Sequence, residues 1–551
     1  MNWKKMRVNR LNNVRKYIGI VVPYIVLFSS FALAGGSNEL NDYIADLAFN
    51  MPQIQIPQFP EQTVNITEFG AVGDGQTENT EAFVRAITTC ADSGGGRVFV
   101  AAGLWLTGPI RLKSHINLHL EPGAIILFSP QFEDYPLIQS HYEGHDRVRC
   151  LSPISGVDLE NIAITGQGII DGSGEAWRPV KRFKMTNRQW QELVASGGVV
   201  NRNGTVWWPS EQAMHGAELM RELGKRENVD LQDYAEAREF LRPVMIGLVN
   251  CKNVLLDGPT FQNSPAWNIH LLMCENAVIR NINVRNPWYS QNGDGLDLES
   301  CRNILVYNCC FDVGDDAICL KSGRNEYGRR RGKPSENIAI ADCIVYHGHG
   351  GFTIGSEMSG GVRNIDVRRC TFLGTDVGLR FKSTRGRGGL VENIYIRDIY
   401  MKSITTEAIR FNMFYENQAP LPDENGEIQQ SIINRPEVKI SEETPCFRRI
   451  FIKNIICRGA GQAAILQGLP ELALSQVELD SINISADKGL MCVDVEGVSL
   501  RNISISPEKG PAMAFYNSRQ VFIRNADIVG GSEPFLTING AKSRQIELQG
   551  V

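Results

Sequence analysis

The 551-residue chain is poor in aromatic residues and has no excess of positive charge. Aromatic side chains make up 8% of its residues, and its formal charge at pH 7 is −5. We expect no nucleic-acid partner, because nothing in this balance attracts a polyanion over a wide surface. After residue 34 no apolar run is long enough to span a membrane. The 43% of hydrophobic residues excludes global disorder, and the 53 glycines favour short strands and tight turns over a helical bundle.

The N-terminal segment 1–34 has the composition of an export signal. Six basic residues between Lys4 and Lys16 precede an uninterrupted stretch without charge, Ile18 to Ala34, which ends in Ala-Leu-Ala. This pattern predicts a signal peptide at 1–34 and a periplasmic or extracellular protein with no other membrane association; the alternative is an uncleaved anchor. Removing six of 56 basic residues leaves 50 against 61 acidic residues, a charge of −11. Such a chain needs a locally basic site to bind a polyanion.

A short phrase recurs from about residue 150 onward: a polar residue, then Asn, then usually Ile or Val. The spacings between marker asparagines, counted from Asn253, are 23, 27, 34, 27 and 29. A period in the twenties with alternating β-branched residues is typical of a stacked β-solenoid, whereas helical repeats would show a period of about 3.6. The sequence therefore predicts an all-β fold, a right-handed parallel β-helix. The clear markers are Asn161, Asn253, Asn276, Asn303, Asn337, Asn364 and Asn393, and weaker repeats start at Arg449, Gln476, Gly497, Gln520 and Gln545.

One β-helix accounts for most of the chain. We expect a single domain at 64–551 after an N-terminal extension at 35–63, with an amphipathic helix at 78–91 that caps the end of the core. Two stretches interrupt the repeat: an insertion at 173–243, and a polar, proline-punctuated loop at 415–445. We expect a monomer. Helical patterning in the insertion covers 188–195 and 232–241, and its four tryptophans are Trp177, Trp190, Trp207 and Trp208.

Thirteen cysteines are an odd number for an exported chain, so at least one is free or paired with another chain. Six of them lie either two positions before or six positions after a marker asparagine. Equivalent positions on successive rungs stack, which predicts two buried thiol ladders that fill apolar space, in preference to disulfides or metal ligands. The ladders are Cys251, Cys274 and Cys301, and Cys309, Cys343 and Cys370.

Four polar clusters follow the markers of consecutive rungs, each at a similar offset from its own marker. Because rungs are about 4.8 Å apart, the clusters should share one face of the solenoid. Each cluster alone is compatible with an ordinary turn, but their alignment favours a ligand site. The clusters are Asn292-Gly293-Asp294-Gly295, Gly314-Asp315-Asp316, Gly348-His349-Gly350 and Arg380-Phe381-Lys382.

In this order the clusters resemble glycoside hydrolase family 28, the polygalacturonases and their relatives. That family shows Asn-x-Asp, Gly/Gln-Asp-Asp, Gly-His-Gly and Arg-x-Lys; Gly293 departs from its usual Thr. The stretches Phe69–Gly75 and Ser264–His270 also agree, and the resemblance runs from about residue 64 to at least 415. It implies hydrolysis of a pectic polysaccharide or oligogalacturonide, and we expect no cofactor. His347 and His349, two imidazoles separated by one glycine, have no third clear ligand, so we also expect no metal.

The resemblance also implies roles for the residues. Asp315 would be the general acid, Asp294 and Asp316 would hold and activate the water, and His349 would tune the protonation of Asp315. An inverting enzyme uses such an acid and base, and crowding of carboxylates raises the pKa of one of them.

Substrate binding is expected from two groups of residues. Arg380 and Lys382 suit the carboxylate of a uronic acid and would form the local basic site. The resemblance adds Asn268, His270 and Asn292. Six further arginines either extend the basic site or are solvated loop charge: Arg324, Arg329, Arg330, Arg331, Arg385 and Arg387.

The mode of attack depends on the insertion. A bare β-helix offers an open groove, which suits endo cleavage, but the insertion at 173–243 is too long for a turn and predicts a wall that closes one end. We therefore expect an exo-acting galacturonidase, with the tryptophans either stacking on sugars or packing the insertion onto the solenoid. The alternatives are an endo-polygalacturonase, a rhamnogalacturonan hydrolase, a pectate lyase on the same fold and a glycan-binding β-helix without activity.

Overall fold

The chain winds into a long β-solenoid, seen in a computed structural model that describes residues 35–415, 437–528 and 534–550. The predicted signal peptide and residues 416–436 of the predicted loop lie outside the described residues. Thirty-two strands form one continuous set in which every pairing is parallel, from β1 with β3 to β35 with β37, in the numbering given below. Within the described ranges no helix is both long enough and apolar enough to cross a membrane.

The strands are β1 (Thr63–Asn65), β2 (Asp74–Glu78), β3 (Gly96–Val100), β4 (Gly103–Thr107), β5 (Ile110–Arg111), β6 (Ile116–Leu120), β7 (Ala124–Phe128), β8 (Leu137–Tyr142), β9 (His145–Cys150), β10 (Ile154–Val157), β11 (Glu160–Gly166), β12 (Ile169–Asp171), β13 (Val180–Lys181), β14 (Val199–Val200), β15 (Val206–Trp208), β16 (Ile246–Val249), β17 (Lys252–Asp257), β18 (Thr260–Gln262), β19 (Ile269–Leu272), β20 (Glu275–Arg280), β21 (Asn283–Arg285), β22 (Leu296–Glu299), β23 (Arg302–Tyr307), β24 (Cys310–Asp312), β25 (Ile318–Lys321), β26 (Ser335–Ala341), β27 (Ile344–His347), β28 (Gly350–Ile354), β29 (Val362–Leu373), β30 (Val377–Lys382), β31 (Leu390–Asn412), β32 (Cys446–Gln467), β33 (Leu474–Val493), β34 (Val495–Tyr516), β35 (Arg519–Ile528), β36 (Leu536–Asn539) and β37 (Arg544–Gln549). The α-helices are α1 (Gly35–Ile44), α2 (Thr80–Asp92), α3 (Asn187–Ala195), α4 (Glu211–Leu223) and α5 (Asn325–Arg331). Single 3₁₀ turns cover Ile66–Phe69, Phe132–Asp134, Gly174–Ala176, Arg182–Lys184 and Gln232–Ala237.

Each middle rung has three strands, and each strand pairs with its counterpart one rung away. The face made by β16, β19, β22, β25, β28 and β30 carries the functional side chains at its leading edge. In the later rungs, four long strands run round the corners of the solenoid. They are β31, β32, β33 and β34, with 20 to 23 residues each.

The marker asparagines lie at one corner of the solenoid. Each has a positive φ, for example 58° at Asn303 and 55° at Asn337, a left-handed conformation that Asn tolerates better than most residues. Side-chain amides also link successive markers, at 3.1 Å from Asn337 Nδ2 to Asn303 Oδ1 and at 3.1 Å from Asn303 Nδ2 to Asn276 Oδ1. The repeated phrase is thus a stack of left-handed corners joined by amides.

The apolar interior fills the solenoid from end to end, and both predicted thiol ladders lie in it. All thirteen cysteines are free, and the six ladder thiols are fully buried. The Sγ of Cys301 donates to the carbonyl of Leu271 at 3.1 Å, which satisfies the thiol inside the core. The predicted cap is α2, whose Phe83, Ala86 and Ile87 cover the first rungs. The prediction of ladders and cap is confirmed.

The N-terminal extension lies along the outside of the solenoid. Tyr43 of α1 stacks on Tyr307 of β23 with ring centroids 4.2 Å apart. Leu40, Met51 and Ile54 pack with outward-facing apolar residues of several rungs, so the extension covers a face that would otherwise be exposed.

The insertion (residues 173–243) follows β12 and contains α3, α4 and a small antiparallel sheet of β13, β15 and β14. The pattern at 188–195 is α3 as predicted, whereas 232–241 forms only a 3₁₀ turn and α4 was not predicted. Trp177, Trp190 and Trp207 are buried in the packing of the insertion, and Trp177 meets Tyr135 edge-on at 5.2 Å. These three tryptophans therefore pack the insertion and present no open face to a sugar.

Candidate active site

The four polar clusters meet on one face: the first three lie in the turns that lead into β22, β25 and β28, and Arg380 and Lys382 lie within β30. The backbone amide of Gly295 donates to Asp316 O and that of Ala317 donates to Gly350 O, both at 2.9 Å, so the clusters stack rung on rung. Asp294, Asp315 and Asp316 each have a carboxylate oxygen within 4.8 Å of the others. The predicted alignment of these residues is the one that the structure shows.

Asp316 lies at the centre of the positive charges. Its two carboxylate oxygens accept one hydrogen bond from Arg380 Nη1 and one from Lys382 Nζ, each 2.7 Å long. Burial opposes ionisation, but the charges of Lys382 and Arg380 outweigh it and hold the pKa of Asp316 far below its usual range. Asp316 is therefore a fixed anion that orients both cations.

Asp294 has the opposite character. Its side chain is buried, and the nearest cation, Lys321 Nζ, is 3.7 Å from Oδ2. Burial, followed by the charges of Asp297 and Asp315, raises the pKa of Asp294 well above its usual value. Of the three clustered carboxyls, Asp294 is the one whose pKa is raised.

Asp315 is the member of the cluster that reaches solvent, with 21% of its side chain exposed. Its Oδ1 is 3.1 Å from His349 Nδ1. Burial raises the pKa of Asp315, but the interaction with His349, chiefly its hydrogen bond, outweighs burial and lowers the pKa to about 2. In the free protein the residue expected to act as the acid thus has a lowered pKa, whereas the pKa of Asp294 is raised.

A buried lysine that the sequence did not single out lies beneath the cluster. Lys321 Nζ is 3.2 Å from Asp297 Oδ1 and 3.6 Å from Glu357 Oε2, and it lies 4.0 Å from the centroid of the Trp267 ring. In the sequence, Lys321 looks like any other residue of a strand. Only the structure, which buries it among carboxylates, shows that it lies beneath the cluster and balances their charge.

Three residues expected to bind substrate are placed differently from the six clustered ones. Asn268 is fully buried, and its Nδ2 donates to Phe261 O at 3.3 Å. His270 is also buried, with Nε2 3.1 Å from Glu299 Oε2. Both side chains lie beneath the site in the free protein, and their contact with substrate stays a prediction. Asn292 lies at the rim, where its Oδ1 accepts a hydrogen bond from Arg242 Nη2 at 2.9 Å.

The additional arginines are largely engaged within the protein. Arg331 Nη1 is 2.6 Å from Glu299 Oε1, and Arg385 binds both oxygens of Glu471. Arg387 is buried and donates to Asn325 Oδ1 at 2.6 Å. These three do not extend the basic site.

Two cavities meet at His349 and Asp376. One, of about 490 Å³, continues toward the later rungs and is lined by Arg380, Arg410 and Tyr415. The other, of about 590 Å³, is lined by Phe183 and Lys184 of the insertion together with Trp288. Phe183 and Trp288 are 79% and 51% exposed, so the aromatic faces at this cavity come from one insertion residue and one solenoid turn, and not from the buried Trp177, Trp190 and Trp207.

The roof hairpin (β8 and β9) covers the earlier rungs. Tyr142 packs against Trp267 with ring centroids 4.6 Å apart, and His145 meets Tyr327 of α5 at 5.2 Å. Arg149 of the hairpin donates to Arg242 O, which joins the hairpin to the insertion. The hairpin and the insertion together bound the site on the side of the earlier rungs.

The three clustered aspartates are also the described residues that could hold a cation, since their oxygens lie within 4.8 Å of one another. Arg380 and Lys382 already neutralise Asp316, however, and the proton on Asp294 removes a second negative charge. His347 pairs with Asp312 at 2.9 Å, away from the partner of His349, so the two imidazoles do not converge on one ion. The donor set suits acid–base chemistry better than metal binding.

Comparison with known proteins gives consistent relatives. Residues 180–454 match the family model described as glycosyl hydrolases family 28, and residues 63–169 match one described as rhamnogalacturonase A/epimerase, pectate lyase-like. A probable polygalacturonase of Vitis vinifera is 28% identical over 468 residues, which cover 82% of this chain and 81% of that protein. An exo-poly-alpha-D-galacturonosidase of Dickeya chrysanthemi is 30% identical over 67% of this chain and 58% of its own length.

A solved structure supports the same relationship. The crystal structure of an exopolygalacturonase from Thermotoga maritima is 30% identical, covers 91% of this chain and 96% of its own, and gives a TM-score of 0.65. An exopolygalacturonase of Yersinia enterocolitica, at 22% identity and a TM-score of 0.60, agrees in fold. The predicted right-handed parallel β-helix is confirmed.

Proposed function

The chain belongs to glycosyl hydrolase family 28, and on that premise we propose that it removes single α-linked galacturonic acid residues from the non-reducing end of pectic chains, with inversion. It is a hydrolase of the polygalacturonase type. The observation that carries the proposal is the site where three clustered carboxyls, one of them with a raised pKa, adjoin the paired cations Arg380 and Lys382.

The two cations recognise the carboxylate of the sugar. Arg380 keeps 18% of its side chain exposed and lines the 490 Å³ cavity, and Arg410 is its counterpart on the next rung. A guanidinium binds a carboxylate in two-point fashion and an ammonium adds a point charge. A uronate therefore fits this cavity better than a neutral sugar does.

Proton transfer follows from the unequal environments of the carboxyls. The carboxylate of a bound uronate adds a negative charge near Asp315, which raises the pKa of Asp315 and lets a proton pass to it from Asp294. Asp315 then protonates the leaving oxygen, while Asp294 takes a proton from the attacking water. The proton ends on Asp294, where the free protein holds it, so the cycle closes.

Inversion requires a water as the nucleophile. The carboxylate oxygens lie within 4.8 Å of one another, closer than the roughly 6.5–9.5 Å typical of inverting pairs. However, Asp294 and Asp316 are only 3% and 1% exposed, so neither can reach an anomeric carbon to form a covalent intermediate. Proton NMR of the first sugar released is the test: the β anomer is expected, and the α anomer would contradict these roles.

Removal of terminal residues follows from the closed side of the site. The insertion and the roof hairpin bound the earlier rungs, while the cavity beside Arg410 continues along the later ones. A tetragalacturonide labelled at its reducing end should yield labelled trimer and unlabelled monomer from the earliest time points. Early labelled dimer, or a rapid fall in the viscosity of polygalacturonan, would show an open groove and an endo enzyme.

A rhamnogalacturonan is the second candidate substrate. The match of residues 63–169 to the rhamnogalacturonase A/epimerase model favours it, but those rungs hold none of the clustered carboxyls. Rates on polygalacturonan and on rhamnogalacturonan, measured side by side, decide between them.

Export is proposed from the N-terminal sequence. Residues 1–34 have the charge and apolar pattern of a cleaved signal peptide. Sequencing the N-terminus of the secreted protein should give Gly35, whereas a start at Met1 would show an uncleaved segment.

A further inference from the structure

Lys184 of the insertion reaches the active site from a distant part of the chain. It ends the 3₁₀ turn Arg182–Lys184, and its Nζ lies 3.1 Å from Gly314 O, 3.3 Å from Trp288 O and 3.4 Å from His349 Nε2. Trp288 Nε1 in turn donates to Lys184 O at 2.9 Å, so the backbone of Lys184 is held as well.

The three contacts use every donor of the ammonium. A lysine ammonium has three N–H donors and no acceptor. It can only donate to His349, so Nε2 must carry the lone pair and the ring proton must be on Nδ1, which is 3.1 Å from Asp315 Oδ1. With its donors engaged by the protein, Lys184 has none left for a substrate.

A second group competes for the same nitrogen. Asp376 Oδ2 lies 3.6 Å from His349 Nε2, and a carboxylate there favours a proton on Nε2. Lys184 opposes a proton on Nε2. An N–H of the ammonium already points at this nitrogen, and a second N–H on the ring would face it.

We propose that Lys184 is a positioning residue that holds His349 in the Nδ1–H tautomer, so that the ring donates to Asp315. The insertion is then part of the catalytic machinery as well as a wall. The inference rests on the proposed function only in taking Asp315 as the acid.

The state of His349 can be measured without any activity. The unliganded protein is labelled with ¹⁵N-histidine, and the His349 signals are assigned by their loss in His349→Gln. We expect an unprotonated Nε2 in the parent protein and a protonated Nε2 in Lys184→Met, where Asp376 is left without a competitor. A protonated Nε2 in the parent, or an unprotonated Nε2 in the variant, would overturn the proposal. Lys184→Ala is measured in parallel in case Lys184→Met does not fold.

Kinetics separate positioning from substrate binding. Lys184→Met should lower kcat about 10- to 100-fold, as loss of a supporting hydrogen bond commonly does, with KM changed less than about 3-fold. Lys184→Arg keeps the charge and donors and should restore most of kcat. Lys225→Met, an exposed lysine of the same insertion that pairs with Glu222, is the matched control with parental kcat. A raised KM at unchanged kcat would show that Lys184 binds substrate and would contradict the positioning role. If the proposed substrate is wrong, the kinetics fail but the NMR result on His349 is unaffected.

Discussion

Replacing Asp294 by Asn is expected to make the protein more stable at pH 8 while it abolishes turnover. The side chain is buried within 4.8 Å of two other carboxylates, and burial followed by neighbouring negative charges raises its pKa. Asn keeps the shape and removes the charge. A site assembled for acid–base chemistry should gain stability when this group is neutralised.

The magnitude follows from the distances. Two unit charges 4.8 Å apart interact by about 3.5 kcal/mol at an effective dielectric constant of 20. Ionised Asp315 therefore opposes ionised Asp294 by about 3.5 kcal/mol and Asp297 adds to this repulsion, while Lys321 at 3.7 Å offsets about 4.5 kcal/mol. These opposing charges largely cancel, so the cost of ionising Asp294 comes mainly from its desolvation, the largest cause of its raised pKa. We expect Asp294→Asn to raise the free energy of unfolding at pH 8 by about 1 to 3 kcal/mol.

The pH dependence of the free energy of unfolding should show the same stabilisation by Asp294→Asn. Because the pKa of Asp294 is higher in the folded protein than in the unfolded chain, the folded state binds a proton that the unfolded chain releases above about pH 4. Stability of the parent falls as the pH rises through the folded pKa, and Asn removes this loss. Urea unfolding followed by tryptophan fluorescence should therefore show no gain at pH 4 and the full gain at pH 8.

Asp316→Asn is the matched control with the opposite sign. The pKa of Asp316 is depressed in the folded protein, so its stabilising effect is present above the unfolded pKa and is lost as the pH falls. Removing the charge leaves Arg380 and Lys382 without their buried partner, which costs about 3 to 5 kcal/mol at neutral pH. Equal destabilisation by both substitutions at pH 8 would refute the assignment of the proton to Asp294.

The remaining predictions concern activity and the stacked corners. Asp315→Asn should lower kcat by about 10²- to 10⁴-fold, because it removes the acid, with binding of an oligogalacturonide in calorimetry preserved. Lys382→Met should lower kcat/KM on galacturonan by roughly 10- to 100-fold, and the parent should cleave methyl-esterified pectin poorly; equal rates on both substrates would exclude recognition of the carboxylate. EDTA should leave the activity intact, since the clustered carboxylates are balanced by cations and a proton; a loss restored by Ca²⁺, with products absorbing as unsaturated uronides, would indicate a lyase. Asn303→Ala should lower the free energy of unfolding by about 2 kcal/mol, because it places alanine at a φ of 58° and breaks the amide ladder; Gln291→Ala, away from the ladder, is the control.

The sequence alone predicted the solenoid and the stacking of its functional turns. Each rung of a solenoid contacts mainly its neighbours, so a fixed offset from a marker such as Asn303 translates directly into a position in the stack. For this reason, position in the repeat is sufficient to assign Cys301 and Cys309 to ladders. It is also sufficient to assign Asp316 and Arg380 to one face.

Tertiary structure alone decided everything that depends on segments far apart in the chain. The ammonium of Lys184 meets a ring 165 residues away, and the roof hairpin joins the insertion over the earlier rungs, contacts that no repeat encodes. Burial depth is likewise a property of the packed molecule, so sequence could not show that His270 lies under the floor or that the pKa of Asp294 is raised while that of Asp315 is lowered. A repeat fixes which residues are neighbours along the stack, whereas the dielectric environment of each charge is fixed by whatever the rest of the chain places around it.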